Sequence, residues 1–266
     1  MFDLFTYDFM IRAFLAGALV GIIAPIIGLF LVVRRYSLMA DTLAHVSLVG
    51  VAGALISGGN PVVGALIASI LAAFGIEHLR SSRKLYGESV LALFLSGSLA
   101  LAVIIMGLAH GINVNFLSYL FGSIVTVSQL DLLVIASLGL LTLALMVVCY
   151  RQLFFISFDE ELAKANGLPV KLLNIILIVL TALTVSVSMR IVGILLVGAL
   201  MVIPALTAIQ YGKSFKKTLV LGVLFSLSSV LIGLYSSYYL NVASGGTIVV
   251  VTLLFFTISL IFNRKG

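Results

Sequence analysis

Between Phe9 and Val33 the only charged residue is Arg12, and uncharged runs of this kind recur along the whole chain. About 20 apolar residues suffice for a helix to cross the roughly 30 Å hydrocarbon core of a bilayer. No water reaches that core, so every backbone N–H and C=O must be satisfied internally, which leaves helices or closed barrels. A barrel would show segments of about ten residues with alternating polarity, and these runs do not alternate. The chain is therefore expected to be all-α, a polytopic transmembrane helical bundle of about eight or nine spans. Composition agrees, with 62% of 266 residues hydrophobic and 9% charged, far from an ordinary soluble domain. The first run is too long for a signal peptide, and more spans follow it. The lone cysteine, Cys149, excludes a disulfide framework and a cysteine-based zinc site within one chain.

The expected spans are Phe9 to Val33, a helix ending near Ser57, Val62 to His78, Ser89 to Ala109, Leu130 to Tyr150, Leu219 to Tyr239 and Thr247 to Phe262. The stretch from Leu172 to Gln210 is interrupted only by Ser186-Val187-Ser188-Met189-Arg190 and reads as two coupled spans, or as one long span and a broken one. Phe116 to Ile124 is apolar but too short to cross, so it is expected to be re-entrant or interfacial. The first span carries Gly17-Ala18-Leu19-Val20-Gly21, a spacing that lets another helix approach closely.

The formal charge of +6 would point to nucleic acid in a soluble protein. Here the basic residues punctuate the apolar runs and so report topology, with no nucleic-acid partner. With Arg34 and Arg35 in the cytoplasm and sides alternating, Lys and Arg divide 13 to 2 in favour of the inside; only Arg12 and Arg190 fall outside. Basic residues accumulate on the cytoplasmic side of membrane proteins. The N-terminus is expected outside and the C-terminus in the cytoplasm.

Against this background Asp41 and His45 need a reason. Four residues apart in a helix, they share one face. Counted as one helix from Arg34 at the surface, Asp41 would lie about 10 Å deep and His45 about 15 Å, near the midplane. Ionisable groups at such depth face a bundle interior or a water-filled path and are functional candidates. Carboxylate with imidazole is a donor set for a borderline divalent metal such as zinc. Two ligands do not complete a tetrahedral site, so a second copy of the chain or water must supply the rest. His110, at an outer helix end, is a candidate for metal entry. Glu77 and His78 read as a solvated helix end, Cys149 as packing, and Arg190 as an outer-loop residue or a gate.

Only one polar segment is sizeable, Ser157 to Pro169. Acids at its start, Lys164 near its end, Asn166-Gly167 as a stop and Pro169 beyond suit a short cytoplasmic helix over about residues 158–168. Its charged face and apolar positions suit docking to a partner. No G-x-x-x-x-G-K-[ST] phosphate loop occurs, so ATP hydrolysis, if it drives this chain, belongs to a separate subunit. No H-E-x-x-H occurs, against a membrane zinc protease. An intramembrane enzyme using Asp41 and His45 for acid–base chemistry is the alternative, but no nucleophile or third group appears at a recognisable spacing.

Val33-Arg34-Arg35 followed by Asp41-Thr42-Leu43-Ala44-His45, then Asp159-Glu160-Glu161-Leu162-Ala163-Lys164-Ala165-Asn166-Gly167-Leu168-Pro169, then Gly193 to Ala205, resemble the metal-ion permeases of bacterial ABC importers. The resemblance spans essentially the whole chain, with three motifs in order. It implies a single permease domain over residues 1–266 in the bacterial cell membrane, and a homodimer with a central pore. It also implies cytoplasmic ATP-binding subunits and an extracytoplasmic metal-binding protein, with membrane lipid around the bundle. Asp41 and His45 match the family's intramembrane metal site, and Asp159, Glu160, Leu162 and Leu168 fall in its coupling helix. No permanent cofactor is implied; the metal is cargo. Manganese members more often read Asp-Ala-Ile-Ser-His with a proline in the next turn. Asp41-Thr42-Leu43-Ala44-His45 and the following Val46-Ser47-Leu48-Val49-Gly50 therefore tilt the resemblance to zinc, with manganese or iron as the alternative.

Overall fold

The computed structural model describes residues 7–82, 86–108, 114–123 and 127–262. Helices account for nearly all of them: α1 (Asp8–Val33), α2 (Leu38–Ser57), α3 (Pro61–Ser82), α4 (Gly87–Leu108), α5 (Val114–Phe121), α6 (Gln129–Phe158), α7 (Glu160–Ala165), α8 (Val170–Ser188), α9 (Val197–Ile209), α10 (Phe215–Leu240) and α11 (Ser244–Phe262). No strand occurs among the described residues. Eight of these helices are long and apolar enough to cross a membrane. α5, α7 and α9 are not; of the stretch Phe116 to Ile124, residues 116–121 belong to the short helix α5 and Ile124 lies outside the described residues. The protein is a polytopic helical bundle.

α1 is its axis. Met10, Ala13, Ala16, Val20, Ile23, Ala24, Ile27, Phe30 and Leu31 are buried along its length. Gly17 and Gly21 do what their spacing predicts: both face α10, at Val230 with Leu234 and at Leu227 respectively. A closer contact joins α2 to α3. A Cβ on Gly50 would lie 2.1 Å from the Gly64 carbonyl oxygen, and one on Gly64 would lie 2.3 Å from the Gly50 oxygen, so the two backbones touch where small residues allow it.

The two ends of the bundle differ. At one end α7 packs against α6 and α8 and is joined to Arg34, at the end of α1, through Glu160. At the other, α5, the segment 189–196 and the start of α11 interlock. The break between α8 and α9 falls over residues 189–196 rather than over Ser186–Arg190, because α8 continues as helix through Ser188. Gly193 turns the chain with φ +87°. Ile194 and Leu195 then donate their amides to the Tyr119 and Leu120 carbonyls of α5 at 2.9 and 3.2 Å. Arg190 forms an ion pair with the buried Asp131 at 3.1 Å and stacks over the Tyr119 ring. It belongs to this interlocked layer rather than to a free loop. The second half of the interrupted stretch is α9, of 13 residues and about 20 Å long.

Candidate metal site

Asp41 lies in the first turn of α2 and His45 one turn later. They share a face as the spacing requires, and they are close enough to interact electrostatically. Their position differs from that expected. Arg34 ends α1 and residues 34–37 form a turn, with Arg35 in the left-handed region at φ 60°. The helix carrying the pair therefore starts at Leu38, and the rise along it is about 4.5 Å to Asp41 and about 10.5 Å to His45. Both are closer to their helix end than a continuous helix from Arg34 would place them.

Each side chain is half-buried, and each has a distinctive neighbourhood. The Asp41 carboxylate lies against Gly198, the second residue of α9: a Cβ built there would sit 1.8 Å from Oδ1 and 2.7 Å from Cγ. Leu196, before α9, supplies no side-chain cap. The amide of Val197 already donates to the Gly193 carbonyl at 3.1 Å, but the start of a helix carries partial positive charge, so a carboxylate beside it is electrostatically favoured. The Nδ1 of His45 is buried without a hydrogen-bond partner. A buried polar atom with no partner costs free energy, and a bound cation would remove that cost. Thr42, between the two, turns away: its hydroxyl donates to the Leu38 carbonyl at 2.8 Å and to that of Leu91 on α4 at 3.4 Å. No group of three or more His, Cys, Asp or Glu side chains comes together among the described residues, so one copy offers Asp41 and His45 as a pair. His110 lies outside the described residues.

At the other functional segment, α7 is a six-residue helix, shorter than the 158–168 expected, because α6 runs on to Phe158 and Gly167 reverses the chain at φ +77°. Asp159 caps α7 by accepting from the Leu162 amide at 2.8 Å. Glu160 accepts from Arg34 at 2.6 Å. Leu162 is exposed, and Leu168 is half-buried against the core. Of the four residues expected to meet an ATPase, Asp159, Glu160 and Leu162 are exposed; Asp159 also caps α7 and Glu160 also pairs with Arg34. Beside α7 lies a cavity of about 750 Å³ lined by Glu77, Arg80, Glu160, Lys164, Lys171 and Asn174, among others.

Glu77 departs from expectation. It is buried, and Arg80 donates to it at 2.9 and 3.1 Å, so it is an internal partner and not a solvated helix end. His78, next to it, is exposed, and Cys149 is buried.

Sequence reasoning missed Gly198, Asn174 and the burial of Arg34. Gly198 stands in the stretch from Gly193 to Ala205, but nothing in a glycine among apolar residues says which side chain it faces. Arg34 carried a topological signal that hid its tertiary one.

The model of the ABC 3 transport family matches residues 6–263. The manganese transport system membrane protein MntC of Halalkalibacterium halodurans is 31% identical over 99% of this chain and 90% of its own length. The high-affinity zinc uptake system membrane protein ZnuB of Haemophilus influenzae is 28% identical over 97% of this chain and 99% of its own. Among solved structures, PsaBC from Streptococcus pneumoniae in complex with Fab superposes with a TM-score of 0.87 at 34% identity, covering 97% of this chain and 93% of that one.

Proposed function

Because this chain belongs to the ABC 3 transport family, as a membrane permease of a bacterial metal-ion importer and not an enzyme, we propose that it carries zinc through a homodimeric pore past Asp41 and His45. The observation that carries this reading is the pair itself: a carboxylate held at the start of α9 and a buried imidazole nitrogen without a partner, on one face of α2. Asp41 offsets the positive charge of the ion as it sheds water, and His45 supplies a nitrogen donor. Two donors hold an ion loosely, as transport requires. A second copy related by a twofold axis would supply two more.

The whole chain acts as one permease domain. α7 and the exposed Leu162, with Leu168 beside it, dock a separate cytoplasmic ATPase. An extracytoplasmic binding protein delivers the ion at the end where α5 lies. The 13 to 2 division of basic residues supports an outer N-terminus and a cytoplasmic C-terminus.

Zinc rests on the residues around Asp41 and His45. Manganese is the second reading, favoured by the name of the MntC relative, which is more similar than the zinc-named one. The Asp/His donor set accepts both ions, so uptake must decide. Cells lacking only this chain are given radiolabelled zinc or manganese with and without the gene restored. Zinc uptake that returns with the gene and resists excess manganese supports the reading. Manganese uptake that returns alone replaces zinc by manganese, and restoration of neither overturns the metal-import role.

A further inference from the structure

Arg34 caps α1 and opens the turn that leads into the metal-site helix, and its side chain is only 3% exposed. Its guanidinium joins three elements. Nη2 donates to Glu160 Oε2 of α7 at 2.6 Å, and Nη1 donates to Asn174 Oδ1 of α8 at 2.5 Å, while the residue itself caps α1. Asn174 is buried, and its amide reaches Glu160 Oε1 at 3.5 Å. Burial lowers the Arg34 pKa from its ordinary value, opposed by Tyr36 and Glu160; arginine stays charged regardless.

The turn that follows is braced. Tyr36 donates its amide to the Leu31 carbonyl at 2.7 Å, and Met39 donates to the Tyr36 carbonyl at 2.9 Å. Two guanidinium groups approach the Tyr36 ring, Arg34 at 5.1 Å and Arg80 at 5.2 Å from its centroid. Arg80 also donates to the Tyr36 hydroxyl and is fixed by Glu77. A turn held this way transmits displacement instead of absorbing it. Five residues after Tyr36, in the first turn of α2, stands Asp41.

We propose that the Arg34–Glu160 ion pair is the link through which movement of α7 reaches Asp41, making Arg34 a positioning residue for transport. This rests on the reading of α7 as the ATPase dock. A pull on Glu160 moves Arg34 and, with it, the braced turn at the start of α2. The carboxylate then shifts relative to α9, against which it is seated. The pair thus couples events at the ATPase to the grip on the ion.

Charge reversal tests this. Arg34→Glu and Glu160→Arg each set like charges against each other, and the double variant restores an opposite pair. The permease is purified with its ATPase, reconstituted in vesicles with its binding protein, and assayed for radiolabelled zinc uptake and ATP hydrolysis in parallel. The expected result is that each single variant lowers zinc moved per ATP hydrolysed by about tenfold or more, within the usual range of coupling between linked sites. The double variant is expected to recover most of that loss. Single variants at the wild-type ratio overturn the inference, as does a double variant no better than the singles. Poor assembly of the single variants with a normal ratio in what assembles assigns the pair a structural role and also overturns it. A wild-type permease that retains no ATPase overturns the docking reading, and this inference with it.

Discussion

Gly198→Ala isolates the seat of the Asp41 carboxylate. A Cβ on Gly198 would lie 1.8 Å from Asp41 Oδ1, whereas real Cβ atoms essentially never approach an atom closer than 3.0 Å. The oxygen must therefore retreat by about 1.2 Å. Metal–oxygen distances for zinc hold to within about 0.2 Å of 2.0–2.2 Å, so if Asp41 ligates the ion, as proposed, the displaced carboxylate would leave the coordination sphere or drag the ion with it. The obstructed atom is the end of a side chain, not backbone, and alanine favours helix over glycine by about 1 kcal/mol. The fold should therefore survive. The expected outcome is insertion at the wild-type level with zinc uptake reduced about 10- to 100-fold, the range seen when groups supporting a metal ligand are lost. Uptake of radiolabelled zinc by cells expressing the variant measures it. Gly97→Ala, at a position on α4 with nothing within 4 Å, controls for the substitution itself and should be silent. Wild-type uptake by a well-expressed Gly198→Ala protein would refute the placement of Asp41 against α9 as a functional contact.

Replacing both Leu162 and Leu168 with aspartate should abolish co-purification of the ATPase or stop ATP hydrolysis from driving uptake, because Leu162 is the apolar surface α7 presents; complexes and coupling at the wild-type level would move the dock elsewhere. Gly28→Ala should destabilise the bundle by about 1–3 kcal/mol, the usual cost of overpacking. A Cβ there meets the Met201 backbone oxygen at 1.8 Å, and α1 and α9 must separate to admit it; an unchanged melting temperature in detergent would contradict that contact.

The spans were legible because the rule behind them is coarse and strong: a segment in hydrocarbon must satisfy its own backbone. Phe9 to Val33 became Asp8–Val33, and Thr247 to Phe262 lies within Ser244–Phe262. The face shared by Asp41 and His45 followed from helical period alone. Their distance from the helix end did not, because Arg34-Arg35-Tyr36-Ser37 carries no proline or glycine to announce a turn. Arg35 is a non-glycine residue at positive φ, held there by Tyr36 and its neighbours rather than by local preference. The limit of the α8–α9 break was equally hidden: α8 stays helical through Ser188, whose hydroxyl donates to the Thr184 carbonyl at 2.6 Å, and Ile194 and Leu195 beyond it donate their amides to α5. Glu77 read as solvated because its partner sits on the next helical turn. Arg34 and Asn174 meet 140 residues apart, and no local pattern encodes such a pair.

The proposed transport stands or falls on passage of the ion past Asp41 and His45. The most direct test is uptake of radiolabelled metal by cells lacking the native gene and carrying Asp41→Asn or His45→Ala. Membrane level and ATPase association are measured in the same cells. Asparagine keeps the volume of aspartate and removes the charge that offsets desolvation of the cation. Both variants should insert, assemble and lose uptake to background. Wild-type uptake by either variant at the wild-type membrane level would contradict that passage.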